Sequence, residues 1–400
     1  MNLRHTASFV LVFIGIATGL GTPDAPAGAT FPGANGKIAF VRHLSGGSHI
    51  FTVNPDGSEV TQVTESPGYD YGPAWSPDGA KIAFTRTDVV TMPGQTGQSD
   101  IWAVNSDGSG LTKLTNDPGI DGDPAWSPDS AQIAFSSYRE GVENFEIFAM
   151  NSDGSVLRQL TNAGDGYVSA SPSWSPDGAT IAFARGGQTI QSDICVMSAY
   201  GGGEVKLTST PEFESSPDWS PDGSTIVFTR DSQSFGSGIF SVAGTGGDVR
   251  QVVTPGGEGD AAWSPDGSEI VYVARGPSGS AAIWTMNADG TDRVLVADNG
   301  DSPAWQPISG QGVSPQTHTP PGGDTHSAAA SRAQGCVPEF QMVTLSPGPT
   351  RQADQLPVDG GQPDGDSRAV PLQAMALAFG GLLLAAGGYV VFRAGLVSRG

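Results

Sequence analysis

Five copies of one short phrase, and a fragment of a sixth, set what this chain can fold into. Ala74-Trp75-Ser76-Pro77-Asp78-Gly79 is followed at once by Lys81-Ile82-Ala83-Phe84. The phrase returns as Trp126-Ser127-Pro128-Asp129, Trp174-Ser175-Pro176-Asp177-Gly178, Trp219-Ser220-Pro221-Asp222-Gly223 and Trp263-Ser264-Pro265-Asp266-Gly267. A clipped copy, Ala304-Trp305-Gln306-Pro307, ends the series. Successive tryptophans lie 42 to 51 positions apart, the period of repeats that fold as four-stranded units. Each copy reads as strand, tight turn, strand. Proline presets φ at the first central turn position, aspartate bonds its local backbone, and glycine supplies the left-handed residue that closes the hairpin.

The register runs through the whole repeat. After each turn an alternating strand ends in an aromatic, at Phe84, Phe135, Phe183, Phe228 and Tyr272. The next strand opens on Ile101, Ile147, Ile194, Ile239 or Ile283. A second turn, such as Asn105-Ser106-Asp107-Gly108 or Asn287-Ala288-Asp289-Gly290, leads to a short strand such as Leu114-Thr115, Leu160-Thr161 or Leu207-Thr208. Four short strands per unit, punctuated by Gly and Pro, predict an all-β radial array. The first unit carries Gly36-Lys37-Ile38-Ala39-Phe40, Ile50-Phe51-Thr52-Val53, the turn Asn54-Pro55-Asp56-Gly57 and Val63-Thr64, but no tryptophan strand; the last has only that strand, at Trp305. The fragments add to one blade. The predicted fold is a six-bladed β-propeller in which the C-terminal strand pairs beside the N-terminal three and hides their edges. Trp75, Trp126, Trp174, Trp219, Trp263 and Trp305 are its structural repeat residues.

The Trp-Ser-Pro-Asp-Gly and Ile-Ala-Phe pattern resembles the repeats of TolB-like β-propellers, over roughly Gly36 to Pro307. Such propellers serve many roles, so the resemblance speaks first to fold. It implies an envelope binding or scaffolding module, with partners such as envelope lipoproteins or peptidoglycan-associated proteins. The chain departs from TolB in two ways: the propeller follows its leader directly, without the TolB N-terminal domain, and a C-terminal membrane span is expected.

That span and the leader define the compartment. Arg4 and an apolar run from Ala7 to Leu20, then Ala27-Gly28-Ala29, read as a secretory signal over residues 1–29, with the propeller at 30–307. Residues 308–368, rich in Pro, Gly, Ser, Thr and Asp, read as a disordered stalk. Residues 369–392 carry no charge and are long enough to span a bilayer as a helix. Arg393 and Arg399 in the short tail 393–400 place that end in the cytoplasm and the propeller outside a bacterial cell membrane. Leu356-Pro357-Val358-Asp359-Gly360 looks like a sortase sorting signal with Asp359 where threonine belongs, which leaves wall attachment as the alternative. A formal charge of −22 argues against nucleic-acid binding and fits a preference for cations. The two cysteines make no disulfide framework: Cys195 takes the place of Trp102, Phe148, Phe240 and Trp284 and reads as core, and no bridge to Cys336 is expected.

Binding should sit on one face. The regular turns share one end of the blades, and the irregular loops share the other, where variable loops on a rigid scaffold carry function. The candidate binding residues there are Tyr69, Asp70, Asp121, Asp123, Tyr167, Phe213, Glu214 and Asp260. Arg42, Arg86, Arg139, Arg185, Arg230 and Arg275 close the second strands, six of only 19 basic residues, and should pair with inter-blade acids and stitch the blades together. Their alternative use is an anion site near the channel. No cofactor is expected; Ca²⁺ in the central channel is the candidate metal, although no local loop supplies its six or more oxygens. Catalysis has little to work with: His43 and His49 are the propeller's histidines, and no Gly-x-Ser-x-Gly elbow occurs. A monomeric, non-catalytic module that binds an envelope protein or surface ligand is therefore the leading reading. An envelope hydrolase or lyase acting on carbohydrate or peptide through channel carboxylates is the alternative.

Overall fold

The computed structural model describes residues 31–308, apart from 89–97, 140, 141, 143, 163, 165, 166, 188–190, 233–235, 254 and 255. The expected signal segment, stalk, span and basic tail lie outside the described residues. Among the described residues no helix is long and apolar enough to cross a membrane.

Each Trp-Ser-Pro-Asp-Gly phrase builds the same turn. In the first, Ser76 Oγ donates to Asp78 Oδ1 at 2.5 Å and accepts the Lys81 N–H at 2.9 Å. Ser127, Ser175, Ser220 and Ser264 repeat this bond to Asp129, Asp177, Asp222 and Asp266. Gly79 adopts φ 67°, and a Cβ there would also run into the Pro307 carbonyl of the neighbouring blade. Ser130 holds the same left-handed conformation, φ 60°, in the copy that lacks the glycine.

Strand pairing follows the repeat. Tyr69–Trp75, Lys81–Thr87, Ser99–Asn105 and Thr112–Lys113 form an antiparallel meander, blade 2. Blades 3 to 6 repeat it with inner strands Ile120–Trp126, Tyr167–Trp174, Phe213–Trp219 and Gly259–Trp263. Blade 1 is composite. Its inner strand, Asp301–Ile308, pairs with Ala34–Leu44 in the register Ile38↔Trp305 and Ala39↔Ala304. That strand runs one residue past the expected boundary at Pro307, to pair Ile308 with Ala34. The six inner strands touch one another in cyclic order, which puts them around the axis and closes the ring.

The core lies between blades. Ala39, Val41 and Ile50 of blade 1 pack on Trp75, Ile82 and Phe84 of blade 2, and the same face-to-face contact recurs around the ring. Cys195 is fully buried, as its place in the repeat requires. It is disulfide-bonded, against the expectation of a plain core thiol.

A regularity absent from the sequence reading sits on the inner strands. The residue three before each tryptophan is left-handed: Gly72, Asp123, Ser171, Ser216, Asp260 and Ser302 have φ between 49° and 58°. The resulting bulge turns the backbone N–H toward the preceding blade. Asp123, Ser171 and Asp260 donate to the hydroxyls of Thr85, Ser136 and Thr229 at 3.2, 3.0 and 3.0 Å. Non-glycine residues are held in this conformation by the ring that surrounds them.

Candidate functional site

The end of the blades that carries the irregular connections is organised by a repeated column of side chains. Because residues two apart on a strand share a face, the arginine that follows an aromatic by two stacks on it. Arg86 lies 5.2 Å from the Phe84 ring and 5.0 Å from Trp102. Arg230 lies 5.6 and 4.3 Å from Phe228 and Phe240. A carboxylate from the inner strand caps each one. Asp70 accepts from Arg86 Nε and Nη2 at 2.6 and 2.9 Å, and Glu214 accepts from Arg230 at 2.9 and 2.7 Å. These ion pairs sit within a blade rather than between blades. The link between blades is a threonine. Thr64 Oγ1 takes the Ile50 N–H and donates to Asp70 of the next blade at 2.5 Å, and Thr208 relates Ile194 to Glu214 in the same way.

The other arginines vary the scheme. In blade 3 the stacking position is Ser137; Arg139, two residues on, reaches back over Phe148 at 4.8 Å and donates to Asp121 at 2.6 Å. Arg185 pairs with Glu204 from its own blade's outer edge at 2.9 Å. Arg42 stacks on Phe40 and Phe51 and donates to the Asn299 carbonyl at 3.3 Å. Burial lowers its pKa, with Asp298 acting against that. The matching acid position is Gly300, where a Cβ would meet the Phe40 ring. Arg275 follows Tyr272 by three, faces away and makes no ion pair among the described residues.

This layout divides the eight candidate contact residues. Asp70, Asp121 and Glu214 are fully buried and Asp260 nearly so; contrary to their placement on an open face, they hold arginines or hydroxyls. Asp260 accepts from Ser216 at 3.3 Å. Tyr69, Asp123, Tyr167 and Phe213 are half-buried. Tyr69 stacks on Tyr71 with ring centroids 6.3 Å apart. Burial pushes the Asp123 carboxyl up to about 6, with the Ser136 hydroxyl bond at 3.0 Å acting against it.

Two polar contacts escaped the sequence reading. Asp218 stands where four of the other inner strands have alanine, and it is buried. It accepts the Trp263 N–H of blade 6 at 2.8 Å and the Ser173 hydroxyl of blade 4 at 3.4 Å, so one carboxylate ties three blades. An acid directly before a repeat tryptophan was its only signal. The second is His43 Nε2, 2.6 Å from Asp301 Oδ2 across the closing strand pair, with Tyr71 beside it at 6.4 Å. Burial pushes the Tyr71 hydroxyl up to about 12.

The Asp301 bond raises the His43 pKa despite partial burial. A raised folded value means that the charged pair stabilises the ring fully below the ordinary histidine value of 6.5 and that this gain disappears as pH rises through the folded one. Thermal melts of His43→Gln should therefore fall below the native chain at pH 5 to 6, about one unit under the ordinary value, and converge with it in mild alkali. A gap that widens with pH would refute the pairing. Among the described residues no group of three His, Cys, Asp or Glu side chains converges as a metal site.

Comparison with known proteins agrees with this geometry. Residues 87–189 and 165–313 match the family model described as TolB beta propeller domain. The Protein TolB homolog of Chlorobium luteolum is 30% identical over 140 aligned residues, which cover 26% of this chain and 32% of that protein. The Tol-Pal system protein TolB of Alcanivorax borkumensis is 33% identical over 114, covering 28% and 25%. The chain thus spans at most 32% of the length of these relatives. Among solved structures, TolB from Acinetobacter baumannii superposes with a TM-score of 0.57 at 23% identity, over 68% of this chain and 67% of that one. The putative TolB from Agrobacterium tumefaciens gives 0.52 at 22%, over 67% and 91%. At these identities the solved structures speak to the fold alone.

Proposed function

Because the chain belongs to the TolB beta propeller domain family, we propose that it is a non-catalytic protein-binding module of the cell envelope. In this reading the propeller is displayed outside the membrane on the 308–368 stalk and held by the 369–392 span. The relatives named for the Tol-Pal system support an envelope protein as the partner class. The observation that carries the reading is the asymmetry of the two ends of the ring. One end is closed by near-identical turns whose acids are occupied locally, as Asp107 is by Ser109. The other presents the half-buried aromatics Tyr69, Tyr167 and Phe213 on inner strands, those of Tyr69 and Phe213 tied down by the Asp70–Arg86 and Glu214–Arg230 pairs.

Aromatic side chains on a pre-formed surface are frequent anchors of protein interfaces. Tyr69→Ala and Phe213→Ala should each weaken partner binding by about 1 to 3 kcal/mol with little loss of fold. Asp78→Ala, which strips a turn at the opposite end, should lower the melting temperature and leave the affinity of the folded fraction unchanged. Capture from envelope extract on immobilised native and variant propeller, followed by titration calorimetry with the captured protein, measures both. Normal binding by the aromatic variants together with lost binding by Asp78→Ala would reverse the assignment of faces.

A further inference from the structure

We propose that blade 6 ends in a receptor for an arginine side chain of the partner, formed by the Tyr272–Trp284 ring pair and the Glu258 carboxylate. The proposal deepens the assignment of the loop-bearing end as the partner face, and rests on it. Five blades place a guanidinium of their own over their ring or ring pair: Arg42, Arg86, Arg139, Arg185 and Arg230. Blade 6 keeps the ring pair and the acid of the column, while Val253 stands where Thr64 and Thr208 link other blades to their acids. Tyr272 pairs with Trp284 as Phe228 pairs with Phe240. Glu258 stands five residues before its tryptophan, as Asp70, Asp121 and Glu214 do. The position that should carry the arginine is Ala274, which faces Ala282, just as Arg230 faces Gly238. Two small residues meet where the other blades hold a guanidinium.

The consequences are visible in the acid. Glu258 Oε2 is buried and has no hydrogen-bond partner among the described residues. Oε1 lies 3.7 Å from Arg293 Nη1, too far for a hydrogen bond, and that arginine is 42% exposed. Arg293 precedes the outer strand Val294–Asp298 as Glu204 precedes Val205–Lys206 in blade 4, so it is an outer neighbour of the column and not its stacked member. Among the described residues no cation lies over Tyr272 or Trp284. Burial raises the Glu258 pKa, with its own backbone N–H, Arg293 and the Gly256 N–H acting against it. Ala274 and Trp284 are half-buried, so the place is open to solvent.

The ligand class follows from the chemistry. A planar guanidinium can lie on a ring and give two parallel N–H bonds to a carboxylate; an ammonium on a flexible stem cannot do both. The chain's charge of −22 steers cations toward it and repels acidic groups.

Argininamide, titrated into the full chain at constant ionic strength, is the probe, with melting temperature and tryptophan emission as readouts. The native chain should show saturable stabilisation, and lysinamide should bind about tenfold more weakly. Glu258→Gln should weaken argininamide by about tenfold or more. Ala274→Arg supplies the missing side chain in cis, so it should melt higher than native by several degrees, on the order of 1 kcal/mol of added stability, and no longer respond. Equal responses from native, Glu258→Gln and Ala274→Arg would overturn the proposal, as would no saturable response from the native chain. If Ala274→Arg does not fold, Glu258→Gln and the lysinamide ratio decide alone. Because the probe is a small molecule, a negative result removes the receptor without touching the face assignment, which the Tyr69 and Phe213 variants test separately.

Discussion

A chain ending at Gly300 should fail to form the ring, and one ending at Ile308 should form it. The missing strand supplies the whole inner edge of blade 1, including the pairs Ile38↔Trp305 and Ala39↔Ala304. Trp305 is 4% exposed, and removing a buried tryptophan side chain alone costs about 3 to 5 kcal/mol. Local latches go with it. Gln306 donates to the Gly79 carbonyl of blade 2 at 2.8 Å and accepts the Lys37 N–H at 3.1 Å. Native domains are stable by only about 5 to 15 kcal/mol, so these losses together consume most of the margin. The shortened chain would also expose Ala34–Leu44 as a long unpaired edge, which favours association between molecules. Circular dichroism melts should show a broad, low transition or none for the chain ending at Gly300. Coincident melts for the two chains would mean that closure contributes nothing.

Closure was legible in the sequence because it is an accounting of repeats: a first unit without its tryptophan strand and a last with nothing else. The turns were equally legible, since Ser-Pro-Asp-Gly specifies its own backbone bonds. What the repeat could not reveal is which side of the column a charged residue takes. In a strand a slip of one position changes the face. Arg86 follows Phe84 by two and is buried on its ring, whereas Arg275 follows Tyr272 by three and faces outward. Arg139, four after Phe135, keeps the parity and folds back to the same place. Counting from the aromatic would have separated them. The acids were misplaced for a related reason. Asp70, Asp121 and Glu214 begin inner strands, at the edge of a loop, and so look exposed until the arginine of the second strand is laid beside them. His43 and Asp301 are 258 positions apart, and only the closing strand pair brings them together.

Removing Asp70 should be the most destabilising single charge change in the ring, whereas removing both partners of its pair should not. Asp70 is fully buried and Arg86 is 7% exposed. The carboxylate accepts two arginine bonds and the Thr64 hydroxyl. Asp70→Ala therefore leaves a guanidinium and a hydroxyl in the interface between blades 1 and 2 without their acceptor, at a cost of about 3 to 5 kcal/mol. Arg86→Met in the same chain takes away the stranded charge and restores an apolar body over Phe84 and Trp102, so the double variant should recover much of the loss. The exposed pair Lys37–Glu59, with its acid 68% exposed, sets the scale. Glu59→Ala should change stability by no more than about 1 kcal/mol. Urea titrations of the three variants measure the comparison directly. If the double variant is as unstable as Asp70→Ala, the cost lies in the lost threonine link and packing rather than in the uncompensated arginine, and the column is held by shape more than by charge. If Asp70→Ala matches Glu59→Ala, the buried pair does not hold the blades at all.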